Sequence, residues 1–124
     1  MHKIIGLAVG SLAGGFARYV LVGLVYDAAG ARFPHGTLAV NLSGCFLVGV
    51  LNGLAESKFL LGPNAKVLLM IGFCGAFTTL STLMLETSNL MKAGETGRAL
   101  ANVGATMLLG FLLLRLGEIL GEII

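Results

Sequence analysis

Residues 72–86 read G-F-C-G-A-F-T-T-L-S-T-L-M-L-E and lie inside an apolar run, residues 67–91. A bilayer core takes about 20 apolar residues to cross, so this run is long enough to span. Two glycines, Gly72 and Gly75, interrupt it, and the hydroxyl side chains Thr78, Thr79, Ser81 and Thr82 follow. In lipid, a backbone break survives only where protein or a polar cavity covers it. The stretch therefore predicts a span broken in mid-membrane that lines a site or a path for something polar. Such a break frees carbonyls before it and amides after it, and freed carbonyls in unwound membrane helices coordinate cations. Thr78, Ser81, Thr82 and Glu86 recur at helical spacing, with Thr82 and Glu86 as i,i+4 neighbours. A bare carboxylate repels anions, so Glu86 is expected to be paired, hydrogen-bonded to hydroxyls, or mobile. The hydroxyls also admit a plainer reading, back-bonding to helix carbonyls.

Three more apolar runs of spanning length occupy residues 4–25, 37–54 and 99–116. Only 11% of the 124 residues are charged, against about a quarter in soluble domains. Nineteen glycines suit membrane helices that pack closely. The expected fold is an all-α membrane protein, one domain over residues 1–124, with four transmembrane helices. Met1-His2-Lys3 before an apolar run also fits a secretory signal, but the run is longer than a signal core and opens a regular series. Cys45 and Cys74 form no C-x-x-C pair and have no histidine nearby, so they read as small buried hydrophobes. A net charge of +2 without a basic run gives nucleic acid no footing.

Four spans put both ends on one side. Lys3, Lys58 and Lys66 lie with the ends, and Arg32, Lys92 and Arg98 lie opposite. Membrane orientation follows the Lys and Arg bias, and here the loops tie. Counting Arg115 with the C-terminal end leaves the balance almost even. Such a chain is suited to inserting both ways as an antiparallel dimer; the plainer alternative is that weaker cues select one orientation. Four short spans hardly enclose a pore alone, which favours an oligomer.

In the first span, Gly6, Gly10 and Gly14 share a face and allow close backbone approach. Arg18 lies roughly 10 Å inside its span end. It either snorkels beside Tyr19 or raises the potential of an aqueous entrance and attracts anions. In the second span Thr37 and Asn41 share a face, alongside Ser43, Asn52 and the pair Gly49/Gly53. Asn41 is deep, and a buried amide needs partners or a wet cavity. It serves either as glue between helices or as an NH₂ donor to an anion. Depth excludes glycosylation at Asn41-Leu42-Ser43. In the fourth span Asn102, Thr106 and Gly110 form a stripe suited to helix 3 of a partner, and Arg115 and Glu118 form an i,i+3 pair. No nucleophile elbow, phosphate loop or catalytic histidine appears, so the chain does not read as an enzyme.

G-x-x-x-G-G-F-A-R-Y (residues 10–19), G-T-L-A-V-N-L-S-G (residues 36–44) and G-F-C-G-A-F-T-T-L-S-T-L (residues 72–83) together resemble the Fluc/CrcB family of small fluoride channels. The resemblance covers essentially the whole chain. It implies a dual-topology antiparallel homodimer in a prokaryotic inner membrane that exports fluoride passively through two pores along the dimer interface. It implies a structural sodium ion at the dimer centre, held by backbone carbonyls at the positions of Gly75 and Thr78. It also implies a fluoride pathway that includes Asn41, Ser81, Thr82, Glu86 and Arg18, to which Thr37 and Thr106 are added as candidates from their polar helix faces. Two pathway positions depart from the family: Leu80 and Leu83 stand where it usually has phenylalanines whose positive ring edges face fluoride. Asn102 stands where the family often has tyrosine. These departures predict a fluoride channel with impaired activity. The alternatives are a small proton-coupled exporter of cationic compounds, for which Glu86 is the only membrane acid available, or a non-conducting membrane subunit.

Overall fold

All 124 residues are described in the computed structural model, which contains helices and no strands. Helix α1 covers His2–Ala29 and α2 covers His35–Ser57. Helix α3, residues 63–77, is α-helical at Pro63–Lys66, π-helical at Val67–Cys74 and α-helical again at Gly75–Phe77. Helix α4 covers Leu80–Lys92 and α5 covers Thr96–Ile123.

Four segments are long and apolar enough to cross a membrane: His2–Ala29, His35–Ser57, Pro63–Lys92 and Thr96–Ile123. Each contains one of the expected apolar runs and continues past it, because helical hydrogen bonding extends into the polar flanks. The 28 residues of α1 measure about 42 Å at 1.5 Å per residue, against about 30 Å of hydrocarbon. Such a helix tilts or protrudes. The connections are short. The one after α4 ends in a Schellman arrangement, with Gly94 N–H on the Met91 carbonyl (3.1 Å) and Glu95 N–H on the Leu90 carbonyl (2.9 Å). Gly94 takes φ 77° there, a left-handed conformation that favours glycine.

Only 21 of the 124 residues are buried, so the interior consists of seams between helices rather than a central core. In one seam α1 lies on α3. A methyl group on Gly10 would collide with the Leu68 carbonyl, and one on Gly14 with the Phe73 carbonyl. The α1 glycine face is thus in backbone contact with α3. In the other seam α2 lies on α5. Gly49 and Gly53 sit against the Leu114 and Glu118 carbonyls, while Gly117 and Gly121 sit against those of Phe46 and Val50. Close backbone approach maximises dispersion contact, the main attraction left between helices in lipid. Large apolar side chains such as Ile4, Leu12, Phe16, Leu108, Phe111 and Leu112 point outward, where lipid or another helix covers such a surface.

The third segment serves both seams. Its first half, α3, packs chiefly on α1, and its second half, α4, packs chiefly on α5. The change of partner occurs at Thr78 and Thr79, which take extended dihedrals (φ −89°, ψ 159° and φ −152°, ψ 117°). Gly72 and Gly75, expected to interrupt the helix, stay helical. Gly72 instead lets α1 approach, with a hypothetical Cβ only 3.1 Å from the Leu7 carbonyl.

Candidate functional site

The site forms around the two extended residues. Thr78 still donates its N–H to the Cys74 carbonyl (3.1 Å), and its hydroxyl donates to the same carbonyl (2.9 Å). Thr79 is the first residue whose N–H leaves the helical ladder. Its N–H would close a turn on the Gly75 carbonyl, but it donates to Asn41 Oδ1 at 2.8 Å. Asn41 Nδ2 in turn donates to the Thr79 carbonyl at 3.1 Å. Thr79 is also the N-cap of α4: its Oγ1 accepts from the Thr82 N–H at 3.3 Å and donates to Thr82 Oγ1 at 3.0 Å.

One turn before Asn41 on α2, the Thr37 hydroxyl donates to Glu86 Oε1 at 2.5 Å. This bond ties α2 to α4 one turn beyond Thr82. Glu86 Oε2 is buried without a protein partner. A polar column therefore runs Asn41, Thr79, Thr82, Glu86, Thr37 along the start of α4. Arg18 reaches toward it from α1 and donates to the Thr78 carbonyl at 3.4 Å, rather than turning out beside Tyr19.

Two grooves share Thr79 of the extended pair. One, of about 690 Å³, is lined by Arg18, Tyr19, Thr37, Thr82 and Glu86 as well as Thr79. The other, of about 530 Å³, is lined by Asn41, Thr78, Leu80, Leu83 and Thr106 among mostly apolar neighbours. The two leucines differ: Leu80 is 64% exposed, and Leu83 is 1% exposed. Ser81 is exposed beside Leu80.

Not every candidate joins this cluster. Asn102 is fully buried, and its Nδ2 donates to Thr87 Oγ1 of the same chain at 3.1 Å. Its Oδ1 has no protein partner. The stripe expected to meet helix 3 of a partner thus begins against the chain's own α4, because the break lets α4 lean on α5. Thr106 back-bonds to the Asn102 carbonyl (2.7 Å), and Gly110 faces Cys45. Arg115 and Glu118 do pair, and Glu118 also accepts from Asn52 Nδ2 at 2.9 Å. That last contact, across 66 residues, leaves no local mark in the sequence. The capping role of Thr79 does: a threonine stands directly before a helical run, with its bonding partner three residues on.

No group of three His, Cys, Asp or Glu side chains is placed to hold a metal. A cation here would rest on backbone oxygens, which suit a hard ion such as sodium. Gly75 fits, since it is exposed and its carbonyl has lost the Thr79 amide. The Thr78 carbonyl is half-buried and shares its lone pairs with the Arg18 guanidinium. Two carbonyls of one chain make an incomplete shell for such an ion.

Known proteins resemble this chain over nearly its whole length. The family described as CrcB-like protein, Camphor Resistance (CrcB) matches residues 5–118. A protein of Maridesulfovibrio salexigens named fluoride-specific ion channel FluC is 40% identical over 124 residues, covering all of this chain and 98% of that one. The protein of the same name from Solidesulfovibrio magneticus is 42% identical, over all of this chain and 99% of its own. That of Chlorobaculum tepidum is 43% identical, over 99% of this chain and 97% of its own. With the match running nearly end to end, the chain belongs to the CrcB family.

Proposed function

We propose that the chain is a passive fluoride channel, not an enzyme, and that it works as an antiparallel homodimer of oppositely inserted copies in the inner membrane. The observation that carries this reading is the polar column beside the helix break, in a chain whose full-length relatives are named fluoride-specific ion channels.

The physical problem is dehydration. A small anion is costly to move into a low-dielectric medium unless donors replace its water. Hydroxyls of Ser81 and Thr82, together with the second N–H of Asn41, supply such donors beside the two grooves. Thr37 holds the Glu86 carboxylate by a hydrogen bond, which keeps its charge turned aside from the anion. Arg18 adds positive potential at the larger groove, where electrostatic focusing concentrates anions. Thr106 lines the apolar groove with Leu80 and Leu83. Asn102 acts at a distance, by seating Thr87 and hence α4. The break lies at mid-membrane, and a structural sodium ion would bind the Gly75 and Thr78 carbonyls and supply fixed positive charge. The near balance of Lys and Arg across the loops supports insertion in both orientations.

No energy coupling is required. A negative cell interior drives an anion outward with about 2.3 kcal/mol per charge per 100 mV. Leucine fills space at positions 80 and 83 but presents no polarised ring edge, so the flux is expected to be low for the family.

Liposomes holding the purified protein and loaded with fluoride or chloride test the reading. With a potassium ionophore clamping the voltage, fluoride leaves and chloride stays. Absence of fluoride release from protein that is folded and inserted rejects the assignment.

A further inference from the structure

We infer that Asn41 is a positioning residue for the break: its amide holds Thr79 extended from within a single protomer, before any ion or second copy is bound. Thr78 keeps its helical N–H bond to Cys74, so the Thr79 N–H is the first donor that the interrupted helix leaves without an acceptor. Asn41 Oδ1 takes that bond at 2.8 Å, and Asn41 Nδ2 returns one to the Thr79 carbonyl at 3.1 Å. The pair closes a two-bond ring between a side-chain amide and a peptide group. An unpaired N–H is especially unfavourable in lipid, where no water replaces the partner.

The surroundings fit that task. Asn41 is 7% exposed, and the Thr37 to Glu86 bond one turn away fixes α2 against α4 beside it. Gly44, on the next turn of α2, has no side chain where Thr78 Cγ2 packs. The face of α2 that runs through Thr37, Asn41 and Gly44 is thus shaped to the break along its length. An asparagine amide has two N–H donors and two acceptor lone pairs. The ring uses one of each and leaves one N–H pointing elsewhere, so positioning the break and serving an anion are compatible tasks.

The test measures residue-resolved amide exchange in the full protein held in lipid nanodiscs, a readout independent of conduction. In the wild type the Thr79 amide is protected, and replacing sodium with a large organic cation leaves that protection unchanged. In Asn41→Leu, which keeps the shape and loses both bonds, Thr79 exchange rises about ten- to a hundredfold. Amides of the α2–α5 seam such as Gly117 stay protected and certify the fold. Asn41→Ser, too short to reach Thr79, carries the same expectation if leucine does not fit. Equal Thr79 protection in a folded Asn41 variant and the wild type overturns the inference. So does loss of wild-type protection when sodium is removed, which would make the ion the holder of the break.

Discussion

The α2–α5 seam and the column from Asn41 to Thr37 share a helix, yet they are built on opposite principles. In the seam, four glycines bring backbones together, and a single side-chain hydrogen bond, Asn52 to Glu118, crosses it. In the column, every tie is a hydrogen bond through a side chain or through the freed peptide of Thr79. The seam depends on shape and does not tolerate added volume. The column depends on donors and acceptors and tolerates little chemical change at constant shape. Polar bonding and close packing therefore divide along one helix, α2, whose Asn41 end lies in the column and whose Gly49–Gly53 end lies in the seam.

The largest expected effect comes from violating the seam. Gly117→Val drives a branched side chain into the Phe46 carbonyl. It is expected to cost about 3 kcal/mol or more and to lower the melting temperature in detergent by roughly 10 °C. Thr37→Val tests the column at nearly constant volume. It removes the bond to Glu86 and frees the carboxylate, so fluoride efflux should fall roughly tenfold while yield and oligomeric profile stay near wild type. A normal flux from this variant would mean that the column does not serve transport.

The two leucines sharpen the contrast on a smaller scale. Leu80→Phe places a ring at an exposed position and should raise efflux about two- to tenfold through its polarised edge. Leu83→Phe must fit where leucine is already fully packed, so it should cost about 1–3 kcal/mol of stability, read as a lower melting temperature. The smallest effect belongs to Arg98→Ala. It removes an exposed i,i+3 pair with Glu95 and should change stability by no more than about 0.5 kcal/mol.

Much of this was legible in the residues. Run length and sparse charge set the four membrane-capable helices, and the spacing of Gly6, Gly10 and Gly14 announced a close-packed face. Thr37, Asn41, Thr82 and Glu86 stood out because polar groups inside apolar runs demand partners. The position of the break was harder. Glycine is the usual local sign of interruption, yet Gly72 and Gly75 both remain helical; Gly72 serves close packing on α1, and Gly75 faces open space. The extended residues are threonines whose conformation is set from another helix, by Asn41, 38 residues away. The match of Gly49/Gly53 to Gly117/Gly121 likewise depends on which helices meet. Single-span patterns do not encode which helix will be the neighbour. The same holds for Asn102, whose partner Thr87 is reached only because α4 leans on α5.

The central claim is passive, fluoride-selective conduction, and the reversal potential in a planar bilayer tests it most directly. Across a tenfold fluoride gradient, with chloride and pH equal on both sides, current should reverse roughly 59 mV from zero. The sign should be that of an anion current, and adding a proton gradient should leave the value unchanged. A reversal that stays near zero, or that follows the proton gradient, would contradict the account.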